Sequence, residues 1–126
     1  MKTSVWFASF CVTLLLCTGR SHAADIGGTI SATVTITEDS QLVDDVTCTV
    51  RGAACIAFGA SGVTLDLNGF TMTGLGNSET GCSGGPPAPA VENGIFVDTQ
   101  RSVTVRGPGL IQRFRASGIS SNNSSA

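Results

Sequence analysis

Apolar residues in this chain recur at every second position, the spacing of a strand face rather than of a helix face. Ile30, Ala32, Val34 and Ile36 alternate with Ser31, Thr33 and Thr35. Val63, Leu65 and Leu67 alternate with Thr64 and Asp66, Phe70 and Met72 with Thr71 and Thr73, and Val103 and Val105 flank Thr104. A period of two belongs to a strand with one face against a core. Asn68-Gly69, Gly74 and Gly107-Pro108-Gly109 punctuate these runs as turns. The pattern predicts an all-β chain whose strands are roughly three to five residues long.

Strands this short do not form stable hairpins alone, so each is expected to pair with its equivalent in a repeat. Gly62-Val63-Thr64-Leu65 followed by Gly69-Phe70 matches Ser102-Val103-Thr104-Val105 followed by Gly109-Leu110, at an offset of 40. Gly94-Ile95-Phe96 matches Gly118-Ile119-Ser120, at an offset of 24. If 24 residues make one coil, the longer interval is one coil plus about 16 residues. Leu75 to Asn93 accounts for the excess: Gly76, Gly81, Gly84-Gly85, Pro86-Pro87 and Pro89 give it loop composition. A period in the twenties with three short strands per turn implies a solenoid with coils about 4.8 Å apart. Val63, Leu65, Phe70, Met72, Ile95, Val97, Val103, Val105, Leu110 and Ile111 are expected inward. Thr64, Asp66, Thr71, Thr73 and Thr104 are expected outward. Val63 over Val103 and Leu65 over Val105 would make aliphatic stacks. Asp25 to Thr37 reads as an N-terminal capping strand. About three coils are countable, and no cap is visible after Gly118-Ile119, so the expectation is a truncated piece of a longer solenoid.

The first segment has a different character. Lys2 precedes a nearly continuous apolar run from Val5 to Cys17, and Ser21 and Ala23 are small residues suited to cleavage after Ala23. Residues 1–23 are read as a signal peptide, the run being too short to span a bilayer comfortably. The remainder, 24–126, is one partial domain with no membrane span. It keeps five arginines and all nine acids, for a net charge of about −4, and has no Lys, His, Trp or Tyr. Histidine acid–base catalysis and histidine metal ligation are therefore excluded from it, and no basic field exists to hold nucleic acid. The expected location is secreted, periplasmic or otherwise extracellular. Export permits disulfides. Cys48 and Cys55, separated by a short excursion, are the favoured pair, with Cys82 left over on the loop. Pairing of Cys82 with either remains open on spacing alone.

The run Gly62-Val63-Thr64-Leu65-Asp66-Leu67-Asn68-Gly69-Phe70-Thr71-Met72-Thr73-Gly74 resembles an early coil of bacterial right-handed parallel β-helix proteins. Gly94-Ile95-Phe96-Val97, Ser102-Val103-Thr104-Val105-Arg106-Gly107 and Gly109-Leu110-Ile111 resemble its next coil. The resemblance covers roughly residues 42–121. It implies a pectate-lyase-like right-handed parallel β-helix, incomplete, of about three coils. Proteins of this pattern include polysaccharide lyases, hydrolases and epimerases, carbohydrate-binding proteins and non-catalytic surface proteins, so the fold does not choose among them. The expected function is to act on or bind a polysaccharide or cell-surface glycan, with catalytic coils missing from this chain and no turnover expected from it alone. The alternative is a non-catalytic adhesion or structural β-helix protein.

Candidate chemistry is sparse. Asp66 lies outward on its strand with Arg106 at the equivalent position 40 residues later, either to contact an acidic sugar or to form a surface ion pair. Arg113 and Arg115 flank Phe114 and make a candidate anion-recognition patch. Glu92 and Asp98 flank the Gly94–Val97 strand as candidate paired carboxylates, with turn roles as the simpler reading. Asp44-Asp45 is a turn cluster with calcium as its one conceivable cofactor. No other cofactor and no metal site is expected. Phe58, Phe70, Phe96 and Phe114 are expected mostly in the core.

Overall fold

A computed structural model describes residues 24–77 and 92–122. The signal-peptide reading of 1–23, most of the expected loop and Cys82 lie outside the described residues. Those described form ten strands and no helix: β1 (Ala24–Ile30), β2 (Val34–Ile36), β3 (Ser40–Cys48), β4 (Ile56–Phe58), β5 (Thr64–Asp66), β6 (Thr71–Thr73), β7 (Ile95–Asp98), β8 (Thr104–Arg106), β9 (Leu110–Gln112) and β10 (Ile119–Asn122).

All the strand pairs are parallel. They make a six-stranded sheet, β8-β5-β3-β6-β9 with β1 also on β3, and a four-stranded sheet, β10-β7-β4-β2. Neither sheet closes on itself. Each pass of the chain leaves strands in both sheets and returns to pair with the previous pass. These passes are called tiers below. The arrangement is compatible with a β-helix.

The first sheet bends as it grows. β3 is one continuous strand, yet Ser40 pairs with Leu65 of β5 while Val46 pairs with Met72 of β6. Asn68 and Gly69 make the corner between the two short arms, with φ of 50° and 85°. This left-handed geometry is open to Gly and accessible to Asn, whose short side chain bonds locally. The Asn68 Nδ2 group donates to the Leu42 carbonyl of the tier below, at 3.1 Å, so the corner is bonded between tiers.

The repeat register holds in part. Thr64, Leu65 and Asp66 pair with Thr104, Val105 and Arg106, the offset of 40, and Ile95 pairs with Ile119, the offset of 24. At β6 and β9 the offset drops to 39, Thr71 facing Leu110 and Met72 facing Ile111. The reason is local: residues 67–70 connect β5 to β6, whereas 107–109 connect β8 to β9. The corner is one residue shorter, and a shift of one residue moves a side chain to the opposite face. Leu110 therefore stands outward and 51% exposed, a correction to its expected place in the core. The N-terminal stretch is also divided. Ile30 ends β1, Ala32 is exposed in the bend, and Val34–Ile36 begin the second sheet, so residues 25–37 supply two paired strands rather than one.

The core lies between the sheets. Leu42, Leu65, Met72, Ile56 and Ile95 are fully buried, with Val46, Val63 and Val97 beside them. Val103, Val105, Ile111, Phe70 and Phe114 pack against this cluster half-buried. Gly94 shows how closely tiers approach: a Cβ there would lie 2.6 Å from the Gly118 carbonyl oxygen, and Ile95 N–H donates to that same oxygen. Cys48 and Cys55 form a disulfide with Cα atoms 6.0 Å apart, the favoured pairing. A disulfide of this kind is compatible with a location outside the cytoplasm.

Candidate functional site: an outer groove on the second sheet

Three features outside the core carry polar chemistry, and they differ in what they leave available. The first is the outer face of the six-stranded sheet. Asp25, Gln41, Asp66 and Arg106 stand in one row across four strands. Gln41 Nε2 donates to Asp25 Oδ1 at 2.9 Å. Arg106 donates from Nε and Nη2 to Asp66 Oδ2, at 2.9 and 2.7 Å, and the Asn68 N–H donates to Asp66 Oδ1. Arg106 and the Asn68 amide together hold the Asp66 carboxyl below the usual carboxylate range. The structure thus brings Asp66 and Arg106 together, as the repeat offset implied, and both Asp66 oxygens are engaged within the protein.

The second feature is a buried ion pair. Arg115 donates from Nε to Glu92 Oε2 and from Nη2 to Oε1, the latter contact at 2.5 Å. The Gly52 N–H donates to Oε1 as well. The Glu92 and Arg115 side chains are only 5% and 14% exposed. The bidentate Arg115 contact outweighs burial and lowers the Glu92 pKa; the same contact raises that of Arg115. Three segments meet here: the disulfide loop, the residues before β7 and the turn after β9. The adjoining void is about 10 Å³, room for one water at most. Glu92 does not join Asp98 as a second carboxylate, because its oxygens are taken by Arg115 and Gly52, while Asp98 sits exposed at the end of β7. Arg113 and Arg115 are not brought into one patch either: Arg113 Nε donates to the Gly76 carbonyl at 2.8 Å. In the Asp44-Asp45 cluster, Asp44 accepts from the Asp45 N–H and Asp45 from the Thr71 N–H. No group of three or more His, Cys, Asp or Glu arranged to hold a metal occurs among the described residues.

The third feature is a groove of about 630 Å³ on the outer face of the four-stranded sheet, within the range of ligand-binding clefts. Its floor is one register row, Ala57 of β4, Phe96 of β7 and Ser120 of β10. Ile56 and Phe58 point inward on β4, as do Ile95 and Val97 on β7, which leaves Ala57 and Phe96 outward. Phe96 is half-buried in this floor, not in the core where it was expected. The methyl group of Ala57 leaves open space beside its ring. Gly52, Ala53 and Ala54 form one wall. The Cys48–Cys55 bond and the Gly52–Glu92 hydrogen bond fix that wall, and Thr33 Oγ1 donates to the Ala54 carbonyl at 2.7 Å. Asn93, Ser121 and Asn122 complete the lining, which contains no titratable side chain.

The groove therefore offers an aromatic ring, small apolar residues and the hydroxyls of Ser120 and Ser121. It suits a neutral, hydroxylated ligand and supplies no group for acid–base chemistry. A sequence signal for Phe96 exists: with Ile95 and Val97 both inward, strict alternation puts Phe96 outward. No family model, curated protein or solved structure matches the chain.

Proposed function

We propose that this chain is an exported, right-handed parallel β-helix protein of pectate-lyase-like pattern that binds a neutral polysaccharide along the outer groove of its second sheet. The fold reading draws on the parallel registers between successive tiers and on the right-handedness of nearly all parallel crossovers. The export reading draws on residues 1–23 and on the Cys48–Cys55 bond.

The observation that carries the binding reading is Phe96, an outward aromatic ring between a small residue and a hydroxyl in a groove without charge. Sugar rings present an apolar C–H face that loses water favourably against a flat aromatic ring, while their hydroxyls need neutral partners at the rim. Acidic polymers fit the groove less well, because its lining holds no basic side chain. Binding without turnover is the expected activity of this chain, since the groove lining holds no titratable side chain.

Affinity electrophoresis against a panel of neutral and acidic polysaccharides tests this. At least one neutral polymer should retard the protein, and Phe96→Ala should weaken that retardation about tenfold, the loss of about 1.4 kcal/mol, with its circular dichroism unchanged. Absence of retardation by every polymer, or equal retardation of parent and Phe96→Ala, would sink the proposal.

A further inference from the structure

The outer groove of the second sheet differs between its two directions. Along a strand it is narrow: on β4, Ile56 and Phe58 point inward and Ala57 alone faces the groove. Across the strands it repeats. Ala57 and Phe96 stand in register on neighbouring strands, and Ser120 continues the row. The wall repeats at the same step. Thr33, Ala54 and Asn93 lie shortly before β2, β4 and β7, and the backbone there is laddered: Val34 N–H donates to the Cys55 carbonyl, and Cys55 N–H to the Asn93 carbonyl. Floor and wall therefore advance together by one ladder step per tier, about 4.8 Å. β4 and β7, which carry Ala57 and Phe96, are interior strands between β2 and β10, so this geometry belongs to the middle of the sheet and not to an edge.

We propose, resting on the polysaccharide-binding reading above, that the ligand is an extended neutral glycan whose sugar rings are joined through equatorial bonds, and that it lies across the strands with one ring per tier. A flat ribbon of equatorially joined hexoses advances by nearly one ladder step per sugar, so its rings stay in step with the tiers. An axial bond shortens that advance and curls the chain, which carries successive rings off the floor. At Phe96 the aromatic ring takes an apolar sugar face. The neighbouring sugar lies over Ala57, whose methyl group leaves room for its substituents, and on the other side Ser120 offers a hydroxyl that both donates and accepts. A chain laid along β7 instead would run from Phe96 to Asp98, an exposed carboxylate that is not part of the groove lining.

Isothermal titration calorimetry tests this on the full chain, expressed with its own leader in an exporting host and purified under oxidising conditions. Cello- and manno-oligosaccharides are the equatorially joined probes, and malto-oligosaccharides the axially joined ones. Affinity for at least one equatorial series should rise from monomer to dimer to trimer, and that trimer should bind about tenfold more tightly than maltotriose. Ala57→Leu, which adds bulk across the strands, should lower trimer affinity about tenfold. Asp98→Leu, which adds bulk along β7, should leave it unchanged, and both variants should keep the parent's circular dichroism spectrum. Malto-oligosaccharides bound as tightly as the equatorial series, an affinity that does not rise with chain length, or a loss in Asp98→Leu without one in Ala57→Leu would overturn the proposal and leave neutral-polysaccharide binding standing. So would retardation by some other neutral polymer with no response to either equatorial series. Absence of binding to every neutral polymer and oligosaccharide would overturn both.

Discussion

Glu92→Gln is the most informative single substitution for the architecture around the groove. The change keeps the shape of the side chain and leaves a carbonyl oxygen for the Gly52 N–H, but removes the charge that faces Arg115. Both side chains are nearly shut off from water, at 5% and 14% exposure. Breaking a deeply buried pair costs about 3–5 kcal/mol because the remaining charge is stranded. Here the protein is only two sheets thick, so the surroundings are more polarisable than a deep core, and about 2 kcal/mol is the better expectation. In a domain of this size that lowers the thermal midpoint by about 8–16 °C and the urea midpoint by about 1 M. Removing both charges in Glu92→Leu with Arg115→Leu should cost less than the sum of the single substitutions, since no ion is left behind, although the Gly52 N–H loses its acceptor at about 1–3 kcal/mol. The folded-state pKa of Glu92 is lowered, so its contribution is complete above about pH 4.3, the ordinary glutamate value, and is lost as pH falls through the lower folded value. The parent should therefore lose stability in that acid window more steeply than Glu92→Gln. Urea titrations at several pH values measure all of this. A midpoint for Glu92→Gln within error of the parent, or strictly additive substitutions, would refute the view that this pair ties the three segments together.

Two further outcomes are expected. Replacing Cys48 and Cys55 together by Ser opens a loop with a sequence separation of 7, and the chain-entropy relation for so short a loop gives a loss of about 2.5 kcal/mol, measurable by urea denaturation. The same variant should bind the polysaccharide more weakly, since the loop forms a groove wall. Arg106→Ala, at a side chain 65% exposed, should leave the thermal midpoint within error of the parent and leave neutral-polysaccharide retardation unchanged.

Strand type and much of the pairing were legible because period-two alternation and repeated triplets encode them directly. Thr64-Leu65-Asp66 over Thr104-Val105-Arg106 and Ile95 over Ile119 follow from the offsets alone. The place of Leu110 was not legible, because similarity to Gly69-Phe70 suggested a constant offset while the corner before β9 lost a residue. The division of residues 30–36 into two strands was hidden too: Ala32 satisfies the alternation yet stands in the bend between sheets, and a small residue carries little information about burial. The groove was half legible. Alternation placed Phe96 outward, but a general expectation that phenylalanine is buried outweighed it. The disulfide loop as a wall depends on tertiary placement that no local pattern encodes.

Four of the carboxylates, Asp39, Asp45, Asp66 and Glu92, follow a common rule that explains why acids here mislead as functional signals. Where one long strand is followed by two short ones, the first N–H of a short strand can lack a carbonyl partner in the neighbouring tier, and a buried or half-buried N–H must find an acceptor. Asp39 accepts from the N–H of Thr64, the first residue of β5, and Asp45 from that of Thr71, the first residue of β6. Asp66 accepts from Asn68 at the corner, and Glu92 from Gly52 in the disulfide loop. Each acid sits at a break in the ladder and supplies what the regular pairing omits. Asp66 and Glu92 then recruit an arginine from the following tier, which fastens one tier to the next. The outer groove of the second sheet lacks such acids: its Phe96–Ser120 row lies within continuous ladders from β4 to β10, so no break there calls for a carboxylate. The uncharged character of the groove, on which the binding proposal rests, thus has the same origin as the charged character of the first sheet's corner.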